Sequence, residues 1–176
     1  SVTLCPPQWM HHVLDCLESL GHRHIDLLNF QPVDANVAPL IEQWNLWRVM
    51  HGSKGEFINE PVDPYQWVPR KAYEVMNRIL DERELEATAV MTTTSEAAIS
   101  VISALSDHGY QVGKDVSVAT MNDTGMCQLQ RPSITSLEMP DAKPYLTVAL
   151  EWIARGGKDW VGPLLVKPPT VPLFKG

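Results

Sequence analysis

The sequence predicts an α/β fold built on a parallel sheet. Short apolar runs alternate with amphipathic stretches of roughly a dozen residues, the pattern of βαβ units. Glycines and prolines punctuate the junctions. Polar residues gather where two of the apolar runs end, at residues 92–95 and 122–124. In a parallel sheet those ends lie on one edge, where ligands of such folds collect.

Taken in order, residues 8–20 carry Met10, Val13, Leu14, Leu17 and Leu20 at helical spacing. Gly21 is placed to end that helix in a left-handed cap, and His22 reads as a structural bond across the helix–strand junction. "HIDLLNF" (residues 24–30) reads as a strand closed by Pro32. Ile41, Trp44, Leu46, Trp47 and Met50 mark a second helix over residues 38–50, with Trp44 and Trp47 on a core-facing stripe. "GEFINEPVDPYQWVPR" (residues 55–70) is broken by three prolines and reads as strand and loop. Tyr73, Met76, Ile79 and Leu80 share one side of a third helix over residues 72–80. "ATAVMTT" is the next strand. Ser95 is the expected N-cap of a helix running to His108, with Glu96 in its first turn, where the dipole favours a negative charge. After Gly109, "DVSVATM" forms a strand that runs into Asn122-Asp123-Thr124. Residues 144–155 form a last helix, ended by Gly156-Gly157. "GPLLVKPPTVPLF" closes the chain as proline-interrupted strands suited to a sheet edge.

Composition excludes several function classes. Apolar residues make up 44% of the 176 and charged residues 20%, the balance of a globular protein rather than a disordered tail. The net charge of −7 argues against this segment gripping nucleic acid, which takes clustered Lys and Arg. No apolar run approaches the roughly 20 residues that span a bilayer. "SVTLCPPQW" lacks the features of a signal peptide and starts as if inside a strand, so a piece of a longer chain is expected. Cys5, Cys16 and Cys127 are odd in number and widely spaced, which speaks for a reducing, cytoplasmic setting. Neither His11-His12 nor the pair His22 and His24 has the neighbours of a zinc site, so no metal is expected. G-x-S-x-G, P-loop and G-x-G-x-x-G motifs are absent. No cofactor and no catalysis are expected.

Three segments carry a resemblance. "HHVLDCLESLGHRHIDLLN" is similar to the "A.EHL..LGHR.IA.i" segment of the LacI/GalR (lactose/galactose repressor) family of bacterial transcription regulators. "ELEATAVMTTTSEAAISVISALSDHGYQVGKDVSVATMNDT" resembles that family's "P.Av.a.nD..A.G...al...G..vP.DvsVvgfDd", and "RPSITSLEMPDAKPYLTVALEWI" its "PpLTTv.qp...lg..A...L". Order and spacing hold over nearly the whole chain. The resemblance implies a periplasmic-binding-protein-like effector domain of two Rossmann-like subdomains, with a sugar-like effector between them and the first strands and DNA-binding headpiece absent. On that frame residues 1–31 fall to the remainder of the N-terminal subdomain. Residues 32–135 fall to the C-terminal one, and residues 136–176 to a return helix and closing strands. It also implies a homodimer that reaches DNA only through a segment absent here, with no membrane contact.

The same resemblance implies the site. The family's paired cleft acids fall on Asn122 and Asp123, its "ND" pair on Thr94 and Ser95, and its sugar-stacking aromatic on Trp67. Amides, hydroxyls and a carboxylate suit a polyhydroxylated ligand, and an indole covers its apolar face. The departures are specific. Leu40 stands where the family has a ligand-gripping Arg, Gln43 where it has Gly, and neutral Asn122 and Ser95 replace acids. Each chosen position also has a purely structural reading: Thr94 and Ser95 as strand end and cap, Asn122-Asp123 as a turn, Trp67 as loop packing. Two alternatives to a regulator's effector domain stand beside it: a periplasmic sugar-binding protein of a transport system, and a degenerate dimerisation module.

Overall fold

The strands are apolar on both faces because both faces of the sheet are covered. In the computed structural model, which describes residues 3–64, 66–160, 167–168, 170 and 172–176, six strands form one sheet. They are β1 (Ile25–Asn29), β2 (Phe57–Asn59), β3 (Ala89–Thr92), β4 (Ser117–Asp123), β5 (Thr135–Glu138) and β6 (Leu173–Phe174). Their order is β2-β1-β3-β4-β5-β6, with β1 to β5 mutually parallel and β6 antiparallel on the edge. Side chains alternate between the faces along each strand. Leu27, Met91, Ala119 and Met121 enter one core, and Leu28, Val90 and Val118 the other.

Helix α1 (Met10–Ser19), preceded by a short 3-10 turn at Pro7–Trp9, and α2 (Val37–His51) cover the first face. They bury Met10, Val13, Leu14, Leu17, Leu40, Trp44 and Trp47 there. The expected tryptophan stripe is core: Trp44 and Trp47 are 2% and 1% exposed. Helices α3 (Val68–Glu82) and α4 (Ser95–Asp107) cover the second face with Val75, Met76, Ile79, Val101 and Leu105. The chain therefore leaves β1 toward one face and β3 toward the other. Adjacent parallel strands whose connections diverge leave a crevice at their carboxyl ends.

Local chemistry sets the boundaries. Gly21 takes φ +97° and closes α1, with its N–H on Glu18 O and that of His22 on Leu17 O, the left-handed cap that the sequence predicts. His22 then bridges Thr88 Oγ1 and Ser117 Oγ, each at 3.0 Å, and ties the starts of three strands together. Helix α3 begins four residues earlier than its apolar spacing predicts, because Pro69 fits the first turn of a helix. The cap of α4 is Thr94, not Ser95. Thr94 has the extended backbone of a cap and accepts from Ala97 N, whereas Ser95 is already helical.

One further feature departs from expectation. Strand β5 lies in the stretch "ITSLE", where four residues give too short a run to separate from loop. Strand β1 is hydrogen-bonded between β2 and β3, so backbone pairing ties residues 25–29 to the strands that follow. The last helix, α5 (Lys143–Ala154), buries no residue and leaves Leu146, Leu150 and Ile153 exposed. Part of the predicted closing strands lies outside the described residues; the described part, β6, takes the edge position that its prolines require.

Candidate functional site

The carboxyl edge of the sheet is a hydrogen-bonded polar platform. Asn29 ends β1 and donates through Nδ2 to Gln31 O at 2.7 Å and to Asn59 Oδ1, at the end of β2, at 2.8 Å. Its Oδ1 accepts from Thr93 Oγ1 at 3.0 Å, just past β3. Thr92 and Thr120 link β3 to β4 through their hydroxyls at 2.9 Å. Asn29, Thr92, Thr93 and Thr120 are all buried. Burial of so many polar groups is tolerated because each is bonded, and it fixes the strand ends in one plane.

Above this platform opens a cavity of about 360 Å³. Its walls come from four places: residues 3–5 ahead of the 3-10 turn, residues 31–40 after β1, Asn122 at the end of β4, and Met139 after β5. Gln31, Asn36 and Asn122 offer amides, and Leu4, Val37, Leu40 and Met139 offer apolar surface. Asn122 adopts φ +53°, a left-handed backbone that Asn tolerates. Its Nδ2 donates to Thr93 O at 3.3 Å, and its amide oxygen takes no part in that bond. Cys5 also lines the cavity, and burial pushes its thiol up to about 11, so it stays protonated at neutral pH.

Asp34 is the one ionisable carboxyl on the described wall. Its Oδ1 accepts from the N–H groups of Asn36 at 2.8 Å and Val37 at 3.0 Å, and its carbonyl from Ala38. These backbone amides hold its carboxyl below the usual range. A charged oxygen thus already occupies the amino end of α2.

The five residues expected at the site divide. Asn122 lines the cavity. Asp123, one residue on, points inward and is 1% exposed. Its Oδ1 accepts from the N–H groups of Gly125, Met126 and Cys127 at 2.9, 2.9 and 3.2 Å, and its Oδ2 accepts from Ser136 Oγ at 3.0 Å. Burial and the neighbouring Asp123 push the Cys127 thiol up to about 12. Thr94 caps α4, and Ser95 is buried with its hydroxyl 3.4 Å from Glu96 Oε2. Trp67, 72% exposed, stands at the start of α3 and walls a different groove with Gln66, Arg70, Lys71 and Glu74.

Sequence reasoning passed over Gln31, Asp34, Asn36 and Met139. "NFQPVDAN" did carry a signal: polar side chains clustered directly after a predicted strand, as in the two clusters that were singled out.

Among the described residues, one group has metal-ligating atoms close together: Asp15, Glu18 and His51, across α1 and α2. Its donors are engaged. Trp47 Nε1 donates to Asp15 at 2.7 Å, and Glu18 pairs with His51 at 2.8 Å and Arg23 at 3.2 Å. Among those residues no helix is long and apolar enough to cross a membrane.

The described residues form a doubly wound α/β sheet with a ligand-sized cavity over its carboxyl edge, where ligands of such folds collect. Residues 14–143 match the model of the periplasmic binding protein-like domain family, and the chain belongs to that family. Its fold is shared with solved structures of low sequence identity. A LacI family transcriptional regulator from Mycobacterium smegmatis is 19% identical with a TM-score of 0.81, over 99% of this chain and 64% of that one. The Lac repressor bound to ONPG in the repressed state is 20% identical with a TM-score of 0.77, over 97% of this chain and 50% of that one. A LacI family regulator from Enterococcus faecalis V583 with bound ribose is 18% identical with a TM-score of 0.78, over 99% and 61%. The chain thus spans less than two thirds of these proteins. No curated protein matches it in sequence.

Proposed function

We propose that this chain is the effector-sensing part of a LacI-type transcription regulator and that a sugar-like small molecule binds in the cavity over the carboxyl edge. The observation that carries this reading is the wall itself: amides of Gln31, Asn36 and Asn122 face the same space as Leu40, Val37 and Met139. Amides bond hydroxyl groups in either direction, and aliphatic side chains cover the C–H face of a sugar ring. Two of the structural relatives hold ONPG and ribose.

In this reading Asn122 contacts ligand directly, and Trp67 is the aromatic that a ligand reaching the neighbouring groove would stack on. Thr94, Ser95 and Asp123 hold the platform in shape. DNA would be reached through another part of a longer chain, which suits the net charge of −7. A homodimer is the proposed assembly; a dimeric Lac repressor is among the structural relatives. Regulation follows when ligand binds one conformation better than another.

The test is a thermal-shift screen against hexoses, pentoses and their disaccharides. A saturable rise in melting temperature that is lost in Asn122→Ala is the expected result. A rise of full size in Asn122→Ala would move the binding site elsewhere.

A further inference from the structure

Resting on the effector reading above, we infer that the cavity selects by charge: it takes a hydroxylated ligand that is neutral or carries an amine, and rejects phosphorylated and carboxylated ones. Recognition of an anion in a partly desolvated site takes a counter-charge or a fan of free backbone N–H groups. The wall supplies neither. Among its described residues there is no Lys, Arg or His. Its polar groups are amides, the Thr3 hydroxyl, the protonated Cys5 thiol and the carboxylate of Asp34.

The second source of positive potential has also been removed. Helix α2 begins at Val37, on the cavity wall, and the start of a helix attracts anions through its unpaired N–H groups. Here Asp34 takes the N–H groups of Asn36 and Val37 with Oδ1, and the N–H of Ala38 with its backbone carbonyl. The dipole end that would have drawn a phosphate is bonded to a carboxylate instead. An incoming anion meets that carboxylate and nothing to offset it. An ammonium group meets a fixed partner.

Asp34 is exposed, so water screens it; like-charge repulsion at about 4 Å then weakens binding about fivefold, and an amine gains by a similar factor. The experiment is isothermal titration of the chain with matched sets on gluco, galacto and ribo scaffolds: the parent sugar, its amino derivative, its terminal phosphate and its uronic acid. Wild type, Asp34→Asn and Asn122→Ala are compared. Asn at position 34 keeps an oxygen for the two N–H groups, so the start of α2 is retained and the charge alone is lost.

The expected result is that parent and amino sugar bind, the two anions bind about fivefold more weakly, and Asn122→Ala abolishes all of it. In Asp34→Asn the gap between amine and anion narrows. A phosphate or uronic acid that binds as tightly as the parent, and in an Asn122-dependent way, overturns the charge selection and leaves the effector site standing. An amine–anion gap unchanged in Asp34→Asn overturns the role given to Asp34. Binding of no member of any set overturns the sugar-effector reading itself.

Discussion

Asp123 separates two accounts of the same polar pair. As a ligand contact it would be dispensable for folding; as an anchor it would be needed for folding and would not touch the ligand. The structure gives its carboxylate four internal donors, three backbone N–H groups and the Ser136 hydroxyl, at 1% exposure. A hydrogen bond to a charged group contributes about 1.5–3 kcal/mol. Four do not add in full, because Gly125, Met126 and Cys127 lie on one short turn and can tilt together toward water. Asp123→Ala is therefore expected to cost about 3–5 kcal/mol, since each buried donor left without an acceptor costs about 1–3 kcal/mol. In a chain of this size that lowers the melting temperature by roughly 6–20 °C. Asp123→Asn keeps an oxygen for the amides and loses the charge, at about 1–2 kcal/mol. Urea unfolding and thermal melts without ligand provide the measurement. Asp123→Ala melting within about 2 °C of wild type while losing its response to sugar would refute the anchor and return Asp123 to the ligand.

Other perturbations test the scaffold. Trp44→Ala empties the α2 side of the first core and is expected to cost about 3–5 kcal/mol by urea unfolding; a cost under about 1 kcal/mol would mean that the indole is not packed as described. A Cβ at Gly55 would lie 2.0 Å from Ile25 O and 2.8 Å from its carbonyl carbon. Gly55→Ala should therefore fail to accumulate as folded protein, and a normal melt would show that the β1–β2 junction yields. His22 gives a pH test. Burial lowers its pKa below the ordinary 6.5, so between the two values the unfolded chain binds more protons than the native one. Its contribution is complete above 6.5 and is lost as pH falls through the folded value. His108, raised by Asp81, contributes with the opposite sign, complete below 6.5 and lost as pH rises through its folded value. Comparing His22→Gln with wild type from about pH 5 to 8 isolates the first. The stability gap between them should narrow on acidification, and a constant gap would contradict the assignment.

Most of the fold was readable because its signals are local. The apolar spacing in α1, α2 and α4 and the runs in β1, β3 and β4 each state their own element. Missed or misplaced features depend on partners. Four residues of β5 become a strand only through pairing with β4 and β6, and Thr94 outcompetes Ser95 as a cap through a backbone angle that composition does not specify. The site divides the same way. That polar residues follow the strands could be read directly; which of them face outward could not. Asn122 and Asp123 are neighbours, yet the left-handed backbone at Asn122 sends one to the cavity and the other into the turn.

The contrast between α5 and the other helices follows from the same dependence on partners. In α1, α3 and α4 the apolar stripe meets the sheet, whereas α2 buries Trp44 and Trp47 there and leaves Leu46, Val49 and Met50 exposed. In α5 the stripe is present, yet Leu150 and Ile153 remain 63% and 60% exposed. The cavity has a related property. Residues 3–5 precede the 3-10 turn and stand outside the sheet, whereas Met139 follows β5 and donates its N–H to Asp123 O at 2.8 Å, so the wall at residues 3–5 is chain that strand pairing does not hold. A ligand in the proposed site would meet Asn122, which is tied to the platform through Thr93 O, and also the segment of residues 3–5 outside the sheet. Binding energy that differs between positions of that segment is the physical requirement for a sensor. A cavity enclosed wholly by the sheet and its helices would bind as well but would have nothing to report.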